Sequence, residues 1–178
     1  VNDTGELTAT TFSGFGITGG QTVTYSGTET LNVNLGTDVD NLTVTSTHAQ
    51  TTNIDTGAGN DVLAIESVAG TTTVNTQDGD DNVDIKSVSN TTTVNTQDGD
   101  DVITVSDDST TLNQIASNLT VNLGADDDVL NLNDQGDNTV NDTGELTATT
   151  FSGFGITGGQ TVTYSGTETL NVNLGTDV

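Results

Sequence analysis

Aliphatic residues recur at three fixed positions around one aspartate in each of five successive segments of the chain. The indexed aspartates, separated by 21, 20, 20 and 27 residues, are Asp40, Asp61, Asp81, Asp101 and Asp128. One aliphatic residue lies seven positions before each aspartate, one lies two after it and one lies four after it. These residues are Val33, Leu42, Val44, Ile54, Leu63, Ile65, Val74, Val83, Ile85, Val94, Ile103, Val105, Val121, Leu130 and Leu132. Residues two apart share one face of a strand, so each segment predicts a strand, a turn and a second strand.

The clearest two segments are a literal duplication, because residues 71–81 recur unchanged as residues 91–101. A unit of about 20 residues cannot bury its apolar face alone, and repeats of this length typically stack on one another. We therefore predict an all-β fold, a parallel β-solenoid of the β-helix or β-roll type with coils of about 20 residues. The alternative fold is a string of β-sandwiches, whose strands would be antiparallel.

A longer repeat encloses the short one, since residues 1–39 recur without change as residues 140–178. We predict that residues 1–139 form one complete unit and that residues 140–178 begin the next. Within the unit, residues 1–30 are expected to be a connecting β region and residues 31–139 the stacked coils. The chain reads as a window from a longer tandem array.

Two parts of the unit depart from the short repeat. In residues 1–30 we expect one strand over 6–12 and another over 21–25, separated by glycine-rich turns. The wider spacing before Asp128 marks an insertion at residues 106–118, where we expect Leu112, Ile115 and Ala116 to pack a short helical turn onto the side of the stack.

Composition and charge narrow the classes of partner. The formal charge is −25, with 26 acidic residues against one lysine and no arginine. Nucleic acids and anionic membranes are therefore excluded as expected partners, since phosphate binding relies on Lys and Arg. No apolar run is long enough to cross a bilayer, and the absence of Cys removes thiol chemistry and disulfides. A strongly acidic chain favours cations.

The acidic residues gather in the predicted turns, which suggests a ladder of cation sites. Stacked turns place carboxylates of successive coils close together, where they repel unless a cation lies between them. Calcium is the expected ion, because it accepts six to eight oxygen ligands in flexible geometry. Solvated turn residues are the alternative interpretation. The candidate metal ligands are Asp38, Asp40, Asn60, Asp61, Asp78, Asp80, Asp81, Asp98, Asp100, Asp101, Asp126 and Asp128.

The turn Gly57-Ala58-Gly59-Asn60-Asp61, followed by Leu63, resembles the calcium-binding nonapeptide of the haemolysin-type (RTX) repeat family. Residues 24–36 are also similar to tandem arrays in giant bacterial surface proteins. The resemblance implies calcium binding, an extracellular or cell-surface location and folding after export. This chain departs from the RTX pattern, because its turns come about every 20 residues on one edge and only Gly57-Ala58-Gly59 keeps both glycines.

These observations lead us to expect a structural module of a long surface filament that associates with further copies of itself. Two alternatives remain open: an adhesin that binds glycans or partner cells through Phe12, Phe15 and Tyr25, and the calcium-binding tail of a secreted enzyme. We expect no catalytic residues in this chain, since its paired acids repeat on every turn and do not form a single pair in a cleft.

Several polar residues are expected to be structural. The positions six before each indexed aspartate should form a ladder of side-chain hydrogen bonds, and they are Asn34, Asp55, Asn75, Asn95 and Asn122. Lys86 is expected to pair with Glu66 of the preceding coil, with little effect on stability. His48 is expected at the surface, and the stacked threonines are too few to favour ice binding.

Overall fold

A computed structural model describes residues 3–139 and 143–175, and these residues form 17 β-strands and no helix. Predicted features at residues 1–2, 140–142 and 176–178 lie outside the described residues. No described segment is a helix that could span a bilayer. The strands are β1 Asp3–Leu7, β2 Thr11–Gly14, β3 Thr22–Thr24, β4 Thr30–Asn34, β5 Asp40–Val44, β6 Thr51–Asp55, β7 Val62–Ile65, β8 Thr72–Asn75, β9 Asn82–Ile85, β10 Thr92–Asp98, β11 Val102–Val105, β12 Leu119–Ala125, β13 Val129–Asn133, β14 Gly144–Leu146, β15 Thr150–Gly153, β16 Thr161–Ser165 and β17 Thr169–Asn173.

The strands form two largely parallel sheets. Sheet 1 has the order β17-β13-β11-β9-β7-β5-β1-β2-β3, and sheet 2 has the order β14-β15-β16-β12-β10-β8-β6-β4. From β4 to β13 the chain alternates between the sheets, so each strand pairs with the strand two places along the chain. All of these pairs are parallel, unlike the antiparallel strands expected of a string of sandwiches.

The register follows the aliphatic positions of the sequence. In sheet 2, Val94 pairs with Val74 on one side and with Val121 on the other; in sheet 1, Ile103 pairs with Val83 and Leu130. All fifteen predicted aliphatic residues are buried, and the buried residues of both sheets belong to one hydrophobic cluster. Each such side chain contributes about 1.5–3 kcal/mol when it is removed from water. The core prediction is confirmed.

A third row of contacts lies between the sheets. Val88 forms isolated parallel bridges with Val68 and with Ile115, which places the 106–118 insertion beside the preceding repeat. The insertion contains no helix. The Ile115 N–H donates to the Leu112 carbonyl at 3.0 Å, which closes one hydrogen-bonded turn, and Ile115 itself forms the bridge to Val88. Leu112 and Ile115 are buried, as packing onto the stack requires.

Within the described residues, antiparallel pairs occur only in the two copies of the connecting region. In the first copy β1 pairs with β2 and β2 pairs with β3; in the second, β14, β15 and β16 pair in the same way. The single strand expected over residues 6–12 is therefore wrong. The chain reverses between β1 and β2, where the Thr8 N–H donates to the Thr11 carbonyl at 2.8 Å and the two threonine hydroxyls bond at 2.7 Å.

Candidate functional site

The acidic turns stack at one corner where the chain passes from sheet 2 to sheet 1. The turn glycines Gly59, Gly79 and Gly99 adopt φ values of 135°, 139° and 136°, a region that side chains with a Cβ rarely enter. The Gly59 N–H donates to the Asp78 carbonyl at 2.9 Å, and the Gly79 N–H donates to the Asp98 carbonyl at 2.8 Å. Consecutive turns therefore bond through their backbones, and their side chains repeat in rows.

The inner row consists of the five indexed aspartates, whose side chains are all buried. Each carboxylate after the first accepts the backbone N–H of the indexed aspartate one repeat earlier. The backbone N–H of Asp40 donates to Asp61 Oδ1 at 2.8 Å, and that of Asp61 donates to Asp81 Oδ1 at 2.8 Å. The N–H of Asp81 donates to Asp101 Oδ1 at 2.9 Å, and that of Asp101 donates to Asp128 Oδ1 at 2.9 Å. The Asp128 N–H donates to Oε2 of Glu168 at 3.0 Å, so a glutamate of the second long unit continues the row.

Burial makes the charged form of these carboxyls unfavourable. Desolvation raises the pKa of Asp81 to about 7 and that of Asp128 to about 6. It also raises the pKa values of Asp40, Asp61 and Asp101. The buried Oδ2 atoms of Asp61, Asp81, Asp101 and Asp128 have no hydrogen-bond partner among the described residues. A proton on Oδ2 satisfies this oxygen only if an acceptor lies nearby.

Threonine hydroxyls supply the neighbouring polar groups in the inner row. Thr56, Thr76 and Thr96 are buried beside Asp61, Asp81 and Asp101, and their hydroxyls lower the pKa values of those carboxyls against the larger effect of burial. Oγ1 of Thr76 has no hydrogen-bond partner within the described part of the chain. A protonated Asp81 therefore has a potential acceptor in Thr76, and the pair forms a neutral buried contact.

The outer row lies one residue before the indexed aspartate in the last four turns and is exposed to solvent; its residues are Asn60, Asp80, Asp100 and Asp127. The N–H groups of Asp80, Asp100 and Asp127 donate at 3.1 Å to Oδ1 of Asn60, Asp80 and Asp100 respectively. In this row the later repeat donates to the earlier one, whereas in the inner row the earlier repeat donates to the later. Adjacent N–H groups of an extended chain point in opposite directions, which explains the reversal.

The structure thus divides the twelve predicted metal ligands into two sets. The inner five are buried, and the other seven are exposed: Asp38, Asn60, Asp78, Asp80, Asp98, Asp100 and Asp126. Asp127, Glu168 and the three buried threonines were not among the residues predicted for the site. Leu170 and Val172, two and four positions after Glu168, were the available signal for this additional rung.

The two sets differ in their suitability for calcium. Within residues 3–139 and 143–175, no three His, Cys, Asp or Glu side chains are gathered as a group that would hold a metal ion. The inner carboxyls each accept a backbone amide in a buried setting. The outer set offers solvent-exposed oxygen ligands of the chemistry that calcium prefers, in register from repeat to repeat. Among the predicted ligands, the outer seven are therefore the ones that a cation could reach from solvent.

Side-chain amides form a ladder along sheet 2. Asn95 Nδ2 donates to Asn75 Oδ1 at 2.7 Å, and Asn122 Nδ2 donates to Asn95 Oδ1 at 2.8 Å. Nε2 of Gln77 donates to Oδ2 of Asp55 at 3.1 Å, so the equivalent position one repeat earlier has a different partner. The ladder predicted from the sequence is confirmed for Asn75, Asn95 and Asn122, where it links neighbouring strands outside the core; Asp55 bonds to Gln77 in place of Asn75.

The two basic side chains of the sequence have structural contacts. Lys86 Nζ lies 2.9 Å from Glu66 Oε1, as predicted, and also 2.8 Å from Asp108 Oδ1. His48 is half-buried and not at the open surface: its Nδ1 lies 2.9 Å from Thr52 Oγ1, and its ring meets Tyr25 edge-on at 6.2 Å.

Comparison with models of protein families, with curated proteins and with solved structures finds no match to this chain.

Proposed function

We propose that this chain is a structural module of a long extracellular or cell-surface filament, in which tandem units form a parallel β-solenoid. The observation that carries the proposal is the in-register parallel pairing of successive repeats from β4 to β13, in which each strand from β5 to β13 has a neighbour on both sides. A single repeat cannot bury its apolar face by itself, so its stability depends on the neighbouring repeats. An assembly of this kind extends without limit as units are added.

The side-chain ladders support a mechanical role. Aliphatic residues fill the interior, and rows of aspartate, asparagine and threonine bond neighbouring strands along the axis. Because the same groups recur in every repeat, load on one repeat passes to the next through many similar bonds. A site for one substrate would instead need a unique group, and the acidic residues repeat.

Electron microscopy of a chain with several tandem long units tests the filament proposal. We expect uniform filaments whose length grows by about 3 nm per unit, since each unit adds six or seven strands spaced about 4.8 Å apart. Flexible strings of separate globules, or lengths that do not scale with the number of units, would contradict it.

Calcium bound along the outer row is part of the proposal and rests on the resemblance to RTX repeats. Cations there would reduce repulsion among the outer carboxylates of a chain with a formal charge of −25. Folding would then follow export into a calcium-rich exterior. We expect the melting temperature to rise when calcium replaces a chelator.

A matched set of variants makes the calcium test specific. The variant with Asp78, Asp80, Asp98 and Asp100 changed to Asn removes four outer carboxylates while preserving shape. The control is Asp84→Asn, which removes an exposed carboxylate from β9, away from the turns. We expect the calcium-dependent shift to shrink in the first variant and to persist in the control. Equal shifts in both would exclude these four exposed carboxylates as the calcium ligands.

A further inference from the structure

The described parts of the two copies of the 39-residue segment share the same aromatic and tyrosine contacts. Phe12 and Phe15 stack with ring centroids 5.4 Å apart, and Phe151 and Phe154 stack at 5.5 Å. The hydroxyls of Tyr25 and Tyr164 both donate to the carbonyl of the residue 17 positions earlier. The segment is therefore one preformed element that occurs twice, and any difference between the copies lies in what surrounds them.

The surroundings differ completely. The first copy pairs with strands that follow it: β1 with β5, and β4 with β6. The second copy pairs with strands that precede it: β16 with β12, and β17 with β13. The identical sequence of β4 and β17 therefore lies in sheet 2 in one copy and in sheet 1 in the other.

The two copies of this strand use opposite edges. In the first copy the Leu35 N–H donates to the Asp55 carbonyl at 2.8 Å, and the Glu29 carbonyl accepts from Thr51 at 3.2 Å. In the second copy the Thr169 N–H donates to the Asp128 carbonyl at 2.9 Å, and the Asn173 carbonyl accepts from Asp134 at 2.7 Å.

Thr169 and Asn173 correspond to Thr30 and Asn34, which alternate with Glu29 and Leu35 along the strand. In a parallel sheet, alternate residues bond to opposite neighbours. Both sets of bonds are therefore compatible with a single strand.

Burial is complementary in the same sense. Val23 is 54% exposed in the first copy, whereas the equivalent Val162 is fully buried against the preceding repeats. Leu7 is fully buried under the following repeats, whereas its equivalent Leu146 is 52% exposed. The apolar groove of about 300 Å³ lined by Phe12, Val23 and Tyr25 thus lies where a preceding unit would pack.

We propose that each 39-residue segment in a tandem array pairs with both flanking units at once. Through this segment, sheet 1 of one unit becomes continuous with sheet 2 of the next unit, and sheet 2 becomes continuous with sheet 1. Sheet 2 of the preceding unit continues through the antiparallel hairpin into sheet 1 of the following unit. Sheet 1 continues through the shared strand, Thr30–Asn34, into sheet 2. The partner is a second copy of residues 40–139, and this inference rests on the proposed tandem filament.

The exchange has a geometric consequence. Across one unit, one side of the stack holds four strands of sheet 2 and three hairpin strands, while the other holds five strands of sheet 1 and the shared strand. A constant excess on one side would bend a filament progressively. With the exchange, the side that holds more strands in one unit holds fewer in the next. The two sides therefore hold equal numbers of strands over every two units, and the filament stays straight on average.

Proline substitutions test the edges, because proline removes one backbone N–H. Leu174 is equivalent to Leu35, and its N–H has no hydrogen-bond partner among the described residues. We would compare this 178-residue chain with a chain extended by a further copy of residues 40–178. Leu174→Pro should leave the melting temperature of the shorter chain unchanged and lower that of the extended chain by roughly 5 °C.

Two internal controls accompany this variant in the shorter chain. Leu35→Pro should lower the melting temperature, because the Leu35 N–H is bonded, whereas the equivalent Leu174→Pro should not. Thr169→Pro should lower it for the same reason, whereas the equivalent Thr30→Pro should not. An equal effect of Leu174→Pro in both chains would overturn the proposal. All measurements are made in chelator, so failure of the calcium or filament proposal would leave this comparison intact.

A second pair of variants avoids proline. Gly27 and Gly166 share a φ of 66°, but a Cβ on Gly166 would lie 2.5 Å from the Gly124 nitrogen while a Cβ on Gly27 would meet nothing within 4 Å. Gly166→Ala should therefore lower the melting temperature more than Gly27→Ala. Equal losses would show that β16 does not pack on the preceding unit.

Discussion

The backbone N–H of Asp61 donates to Oδ1 of Asp81, one repeat later, at 2.8 Å. The same bond recurs along the inner row, where each carboxyl is buried and the four that accept it, Asp61, Asp81, Asp101 and Asp128, have a second oxygen without a partner among the described residues. Removing the acceptor would leave a buried N–H unpaired, so each of these positions needs a side chain with an acceptor oxygen. The inner row is consequently sensitive to both substitution and pH.

Stability should fall as pH rises from about 4 to about 7. Burial raises the pKa of Asp81 to about 7 and that of Asp128 to about 6, so the folded chain binds protons more tightly than the unfolded chain. This contribution is fully present below the unfolded pKa of about 4 and is lost as the pH passes through the folded values. Urea denaturation in chelator at several pH values measures it. A midpoint that rises over this interval would contradict the prediction.

Asp81→Asn should remove part of this pH dependence without loss of stability at neutral pH. The asparagine keeps an acceptor for the Asp61 N–H and carries no charge to desolvate. Asp81→Ala should instead cost about 1–3 kcal/mol, because it leaves that buried N–H without an acceptor. The free energy of unfolding at about pH 5 and about pH 8 separates the two variants. Equal behaviour of Asn and Ala would show that the bond is unimportant.

Truncation within the aliphatic core should be costly. Ile85 is fully buried between Ile65 and Val105 of the neighbouring strands, so Ile85→Ala should destabilise the chain by about 2–5 kcal/mol. Val62→Ala is the matched control, because Val62 is 45% exposed on a neighbouring strand of the same sheet. Chemical denaturation measures both, and a similar loss for both would place Ile85 outside the core.

Alanine at a turn glycine should disturb the stack itself. Gly79 has a φ of 139°, and an added Cβ would collide with the backbone of Gly59 in the preceding repeat. Gly19→Ala is the control, since Gly19 also has a positive φ but a Cβ there would meet nothing within 4 Å. Thermal melts should show a larger loss for Gly79→Ala. Equal losses of melting temperature would mean that the positive φ alone disfavours alanine at Gly79, without any effect of contact between turns.

The lysine bridge should matter little. Lys86 lies within 3 Å of Glu66 and Asp108, but all three side chains are partly or mostly exposed to solvent. Lys86→Met should change the free energy of unfolding by no more than about 1 kcal/mol, and the difference should shrink at high salt. A large loss that persists in salt would indicate an additional packing role for the lysine stem.

The sequence specified the short repeat because a strand with one buried face must alternate, and stacked repeats must align their aliphatic residues. The positions of Val74, Val94 and Ile103 therefore predicted strand, register and core together. Boundaries near Thr8 and Leu112 were less predictable. A turn closed by threonine hydroxyls and a loop drawn into a bridge with Val88 depend on neighbours that no local pattern identifies.

The sequence by itself determined which residues are aliphatic and which turns are acidic, but it did not distinguish Asp80 from Asp81. Only the tertiary structure decided that Asp81 is buried and binds an amide while Asp80 faces water, because adjacent side chains of an extended chain point to opposite sides. The same holds for Val23 and Val162. They are identical in local sequence, and their burial differs because Val162 lies beside Leu119 of the preceding repeats, whereas no such strand covers Val23 among the described residues.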